Sequence, residues 1–399
     1  MMNKQNWNRR NFIKAGISGS AGLLIVDSVR ARQMKKREEA YDKKFVYRTL
    51  GKTGLRLPVV SMGVMNSDNP QLVDAALQAG IVLLDTAHGY QRGRNEEMIG
   101  TIIKKYKRDT YVLETKIKPD QSDPAREQLI LEEMMRKLET SLKRLQLDYV
   151  DILFLHSADS KTDVLFEPFI RAMGKAKKEG KTRWVGVSTH SNEPEVLDAV
   201  VEGKFYDVVL TSYNFKQDHR LEMRNAIARA AAAGVGIIAM KTMAGGFLDK
   251  LRIKRVNTRA ALKWVLQDEN VHTTVPGITN FEQLESNMAV MADLSLSETE
   301  KQDLEAGFLM DGLYCQGCRR CVEQCQQRLP IPELMRAYMY AYGYRNYTLA
   351  QDLISSLQLR PELCADCQQC RVDCAKGFAV AEKIQDITRL QSVPTEFLS

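Results

Sequence analysis

The sequence predicts an α/β chain: a (β/α)8 TIM barrel followed by a small cysteine-rich domain. Three observations carry that prediction. Short β-rich apolar runs recur eight times between residues 58 and 276, and longer amphipathic stretches separate them. At 399 residues the chain is long for a single core. All eight cysteines fall between positions 315 and 374, with none before them.

In chain order, residues 1–31 open with paired Arg9 and Arg10, followed by an apolar run from Ala15 to Val26. A run of twelve residues is too short to cross a bilayer, which needs about 20. The pattern fits an export signal, and the Arg pair before Phe12, Ile13 and Lys14 resembles the twin-arginine type, with a cut after Ala31. Residues 32–44 read as a solvated linker. Residues 1–44 hold eleven Lys and Arg against four Asp and Glu, which accounts for the whole net charge of +7. The remaining body is neutral and advertises no nucleic-acid surface.

From residue 45 the runs bracketing "GKTG" predict a hairpin that leads into the first strand, 58–64. Strands follow at 81–85, 110–116, 149–156, 182–188, 206–212, 235–241 and 272–276. In the helical stretch 123–146, apolar Leu131, Met134, Met135, Leu138, Leu142 and Leu145 recur at spacings of three and four. Gly80, Gly180 and Gly234 stand where helices end and a left-handed cap is needed. Near-continuous apolar strands imply burial on both faces, as in a barrel. An open doubly wound sheet would want a G-x-G-x-x-G turn after its first strand, and "SMGVMNSDNP" has none. The barrel is expected over 45–295 and the second domain over 296–399.

Four ionisable residues fall at or just beyond strand ends, where barrels of this type carry their chemistry: Asp85, Tyr90, Lys116 and His156. A tyrosine is a useful proton donor near neutrality if an adjacent ammonium lowers its pKa from about 10. The lysine in turn needs a carboxylate to hold it charged, and a histidine can orient the oxygen that the tyrosine serves.

The segments "LDTAHGY", "GRNEEMIG", "LETKI" and "LFLHS" resemble the aldo-keto reductases, from about Tyr47 to about Leu294. The resemblance implies that Tyr90 is the general acid, that Lys116 and Asp85 tune it, and that His156 positions a carbonyl or alcohol substrate. A nicotinamide cofactor, NAD or NADP, would carry the hydride. Ser188 would meet its carboxamide and Tyr213 would stack on its ring. Lys241, Gly245, Gly246, Gly277 and Asn287 would line the diphosphate and adenosine. Thr189 and Leu210 stand where relatives carry Asn and Gln, and Gly277, Ile278 and Gln283 stand where NADP-selective relatives are basic or hydroxylic. The choice between NAD and NADP is open on these residues.

The cysteines form two rows of C-x2-C-x2-C-x3-C, the bacterial ferredoxin spacing for 4Fe-4S clusters. With the fourth ligand crossing between rows, one cluster takes Cys315, Cys318, Cys321 and Cys374, and the other takes Cys364, Cys367, Cys370 and Cys325. Gln326 and Ala375 replace the proline that commonly follows each row. Export through the twin-arginine machinery to the periplasm fits such clusters, because that route moves folded protein and lets iron be inserted before the oxidising compartment is met. Two functional expectations follow. The first is an exported reductase of a carbonyl or alcohol, with the clusters structural or passing electrons to a redox partner protein. The second is an iron-sulfur electron carrier whose barrel only docks partners or small molecules.

Overall fold

The computed structural model describes residues 44–119, 124–249, 252–310, 312–360, 363–364, 367 and 370–398. The export signal and all of the linker except Lys44 lie outside the described residues. Among the described residues there are ten strands. β1 (Tyr47–Thr49) and β2 (Arg56–Pro58) form an antiparallel hairpin across the turn at Gly51–Thr53. β3 (Met62–Gly63), β4 (Leu83–Asp85), β5 (Val112–Ile117), β6 (Val150–Leu155), β7 (Thr182–Thr189), β8 (Val208–Ser212), β9 (Gly236–Met240) and β10 (Thr273–Thr274) form one parallel sheet in sequence order. Parallel bridges from Val60 to Thr274 and from Gly63 to Gly277 bring the two edges together, so the eight strands make a nearly closed barrel.

The expected first strand, 58–64, divides in two because Pro58 completes the hairpin while Met62 and Gly63 join the barrel. The last strand shortens to two residues, and Pro276 just beyond it has no N–H with which to continue the ladder. The helix expected at 123–146 forms over Glu127–Leu145 after a short 3-10 turn and buries Met134, Met135, Leu138, Leu142 and Leu145; Leu131 is only half-buried. Gly80, Gly180 and Gly234 adopt φ of 105°, 72° and 81°, as caps at those helix ends require.

Strand residues alternate between two apolar layers. Leu83, Val112, Ile152, Phe154, Val208, Leu210, Ile238 and Met240 fill the barrel interior, which Leu50, Leu55 and Leu57 of the hairpin region plug from below. Leu84, Leu113, Leu153, Val187, Val209 and Ile237 point outward onto the helices. This period of two decides which strand-end side chains reach the barrel mouth.

After the helix Glu298–Leu309 the cysteine-rich segment packs over that mouth, and Val46–Ser399 form one unit. Arg92 donates two hydrogen bonds to Asp352 Oδ1, at 2.7 and 3.0 Å, and Lys376 meets Asp218 at 2.6 Å. Gly317 accepts from the Asn192 N–H at 3.2 Å. The helix Ile331–Tyr338 runs on into a π-turn, Met339–Gly343, and lays Arg336 and Tyr340 against the barrel.

Candidate functional site

Parity places Asp85, Lys116 and His156 on the inner face, at the carboxyl ends of β4, β5 and β6. Tyr90 arrives from the loop after β4, held by its N–H to Ala87 O at 3.0 Å and followed by Gln91 and Arg92 in left-handed conformations. Lys116 Nζ is buried, paired with Asp85 Oδ1, and donates to Thr86 O at 2.8 Å and Tyr90 Oη at 3.2 Å. The Tyr90 and His156 rings meet edge to face with centroids 6.1 Å apart. The four residues that lie far apart in the text therefore converge. Asn95 and Glu96, from "GRNEEMIG", brace them from outside: Asn95 Nδ2 donates to Val64 O, and Glu96 Oε1 accepts from Thr115.

The electrostatics corrects one expectation. Burial raises the Tyr90 pKa above its ordinary value, and the nearby Lys116 ammonium pulls it down by less than burial pushes it up. Tyr90 is held as a phenol, not drawn toward phenolate. Burial also disfavours the Lys116 charge, but Asp85, Tyr90 and Glu114 together outweigh it and hold the lysine above its usual value. Glu114, two residues before Lys116 and wholly buried, is pushed well above the carboxylate range by burial and by Asp85. His156 is driven well below its ordinary value by burial and by the positive charges of Lys116, Lys118 and Arg336, so it is a neutral imidazole.

Tyr90 and Asp85 sit in the wall of a cavity of about 390 Å³ that extends past Lys241, Gly245, Gly246 and Gly277 to Gln283. Gly246, at φ 80°, has nothing within 4 Å of where a Cβ would stand, so its backbone is open to a ligand. Gly245 serves a different need from the one its sequence context suggests: a Cβ there would lie 2.5 Å from the Tyr314 ring of the cysteine-rich segment. Asn287 lies one helical turn beyond Gln283, buried, with its Nδ2 lacking a partner among the described residues. The open glycine loop along the cavity fits a nucleotide, and Asn287, outside the cavity wall, keeps that unpartnered amide. Arg255, Thr258 and Thr279 line the same space.

Of the two residues expected at the nicotinamide, Tyr213 is turned away from the cavity and Ser188 is not. Tyr213 follows the inward Ser212 and so points outward, buried in the helix layer with its ring 5.1 Å from that of Trp264. The inward strand end beside the cavity is Met240, whose flexible thioether offers the surface expected of Tyr213. Ser188 faces inward, but its Oγ accepts from the Ser157 N–H at 3.0 Å and it is not in the wall of the larger cavity. Met240 was legible from strand parity. Arg255, Tyr340 and Tyr344, also in the cavity wall, come from a loop and from the distant domain and left no local signal.

All eight cysteines are free thiols. Cys315 lies within electrostatic reach of Cys321, Cys318 and Cys374, and Cys364 within reach of Cys367, Cys370 and Cys325. These are the crossed sets read from the spacing. Cys325, Cys364, Cys367 and Cys370 jointly line a cavity of about 100 Å³. Backbone N–H groups of Gly317 and Lys376 point at Cys315 Sγ and Cys374 Sγ, at 3.3 and 3.5 Å, and the Gln327 amide points at Cys367 Sγ at 3.4 Å. Soft donors grouped in fours, with N–H groups directed at sulfur, fit iron-sulfur clusters.

Comparison with known proteins agrees with both halves. Residues 62–260 match the aldo/keto reductase family, and residues 314–379 match a 4Fe-4S dicluster domain. The chain is 27% identical over 301 residues to an L-galactose dehydrogenase of Arabidopsis thaliana, covering 65% of this chain and 92% of that protein. It is 30% identical over 239 residues to the uncharacterized oxidoreductase YrpG of Bacillus subtilis, covering 54% and 72%. Against an L-glyceraldehyde 3-phosphate reductase of Escherichia coli O157:H7 it is 26% identical over 323 residues, covering 65% and 91%. Among solved structures, the holo form of the aldo-keto reductase AKR11C1 from Bacillus halodurans superimposes with a TM-score of 0.55 at 22% identity, covering 66% and 96%, a likeness of fold. The barrel, the strand-end residues and these matches converge on one assignment: the chain belongs to the aldo/keto reductase family and is an oxidoreductase of that type with a 4Fe-4S domain at its carboxyl end.

Proposed function

We propose that the protein transfers hydride between a nicotinamide nucleotide and a carbonyl or alcohol, with Tyr90 as the proton donor or acceptor at the oxygen. The observation that carries this reading is the hydroxyl of Tyr90, 3.2 Å from the buried Lys116 ammonium at the edge of the larger cavity. When bound, the nicotinamide supplies or accepts the hydride. Tyr90 holds the proton, Lys116 stabilises phenolate character as that proton leaves, and Asp85 keeps the lysine charged. Neutral His156 hydrogen-bonds the substrate oxygen without competing as an acid. Gly246, Gly277 and Asn287 are the residues that would hold the nucleotide, and Arg255 with Thr258 favours one that carries a 2′-phosphate. Replacing Tyr90 by Phe lowers nicotinamide-dependent carbonyl reduction by about 10²–10⁴-fold while leaving nucleotide binding intact; an unchanged rate rejects the assignment. A pure electron carrier has no use for this assembled proton donor.

Two 4Fe-4S clusters, one per crossed cysteine set, complete the proposal. It also includes export of the folded, loaded protein to the periplasm by the twin-arginine route, on the strength of Arg9, Arg10 and the apolar run that follows. Replacing both arginines by lysine is expected to retain the protein in the cytoplasm on cell fractionation; an unchanged distribution removes that part of the account.

A further inference from the structure

A second cavity, of about 80 Å³, lies between the barrel mouth and the cysteine-rich domain, walled by His190, Ser191, Ser212, Lys241, Cys315 and Arg336 among others. Arg336 reaches it from the helix Ile331–Tyr338 and is only 7% exposed. Among the described residues no hydrogen bond holds it. Its nearest carboxylate oxygen, Asp159 Oδ2, stands 3.9 Å from Nη1, beyond hydrogen-bonding distance. A guanidinium carries five donors, and leaving them unmet away from water is costly.

Three further polar groups of the wall, Ser191 Oγ, Ser212 Oγ and His190 Nδ1, are buried without a partner among the described residues, whereas Glu193, Asn214, Lys216 and Gln217, also in the wall, are hydrogen-bonded. Burial and the Arg336 charge drive Lys241 down to about 8 despite Glu193 and Asp159 nearby. Two cations therefore face this space, with Asp159, Glu193 and Glu333 near them, and the two hydroxyls beside them make no hydrogen bond among the described residues.

We infer that Arg336 and Lys241, with Ser191 and Ser212, form a built anion site that holds a carboxylate or phosphate carried by the carbonyl substrate. The volume suits such a group, since about 10–15 Å³ of such space admits one water-sized group. His190, Lys241, Gly245, Phe247 and Tyr344 are shared with the larger cavity, so an anion here lies next to the space that Tyr90 serves. The substrate would be a 2-oxo acid or a phosphorylated carbonyl compound in preference to a neutral aldehyde. That identity rests on the hydride-transfer reading; the anion site does not.

The test is calorimetric titration of anaerobically prepared, cluster-loaded protein, without nucleotide, with oxalate, inorganic phosphate and the neutral control oxamide. One saturable site for oxalate or phosphate is expected, with none for oxamide. A preference for oxalate points to 2-oxo acids and a preference for phosphate to phosphorylated carbonyls. Arg336→Met and Lys241→Met each weaken binding at least tenfold, and Arg336→Lys restores part of it. Because Arg336→Met sits at the domain interface, iron content and circular dichroism check its fold, and Lys241→Met on the barrel carries the same test independently. Absence of binding, or equal binding in Arg336→Met, overturns the proposal. Equal binding with an altered cluster spin-resonance signal would make Arg336 a counter-charge for the cluster that Cys315 holds. Anion binding that persists while Tyr90→Phe leaves reduction untouched would instead reject Tyr90 as the proton donor and spare the site.

Discussion

The proton that Tyr90 gives up is governed by two opposed effects of comparable kind, and the structure decides between them. Desolvation favours the neutral phenol, the Lys116 ammonium favours phenolate, and desolvation is the larger. A general acid works only while protonated, so the rate of carbonyl reduction is lost as pH rises through its pKa. With that pKa raised, the rate is expected to stay level through neutrality and decline only above about pH 10. Had the lysine prevailed, the decline would begin between about 7 and 10. A pH profile of kcat/KM on the protein separates the two. At this scale the sequence was informative about which residues meet, because Asp85, Lys116 and His156 close successive strands. It was uninformative about their titration, because burial at a barrel mouth depends on what covers it, and here that is a segment more than 200 residues away.

Elements set direction, and direction explains the principal misreading. Buried parallel strands read as unbroken apolar runs, which reveal where a strand lies but hide which of its residues face inward. Counting alternate positions from Val208 and Leu210 in the interior puts Ser212 at the mouth and Tyr213 outside. The same count from Ile238 puts Met240 at the cavity. Replacing Tyr213 by Phe is therefore expected to leave nucleotide affinity within about twofold, whereas Met240→Ala weakens it several-fold through lost contact. Nucleotide fluorescence titration of both variants reads the difference, and the reverse order would mean that Tyr213, not Met240, meets the ring. The strand count was legible because it rests on local spacing, the same kind of signal from which the crossed cysteine sets are read. The two short strands, β3 and β10, were drawn too long because a hairpin and a proline claim their ends.

At the scale of the molecule the cysteine-rich domain is part of the site. Tyr340 and Tyr344 form wall of the larger cavity, Arg336 and Cys315 form wall of the smaller, and Gly245 is shaped to admit Tyr314. None of this was legible from the sequence, since such docking leaves no periodic trace in either partner. In the proposed arrangement, clusters held by thiolates from both rows would stitch the segment 315–374 together, so their loss would remove the cover as well as the iron. Chelation of iron is expected to produce a new low-temperature transition by scanning calorimetry and to weaken nucleotide binding, while the barrel retains its own transition. If the apoprotein melts as the loaded protein does, the clusters are not holding the cover in place.

The account depends most on hydride passing at the barrel mouth with Tyr90 supplying the proton. Its most direct test follows deuterium from nicotinamide labelled at C4 into an aromatic aldehyde that bears a carboxylate, comparing the protein with its Tyr90→Phe variant under identical nucleotide saturation. The account predicts label on the carbinol carbon, formed about 10²–10⁴-fold more slowly by the variant. Product without label, or label formed equally fast by both proteins, contradicts it.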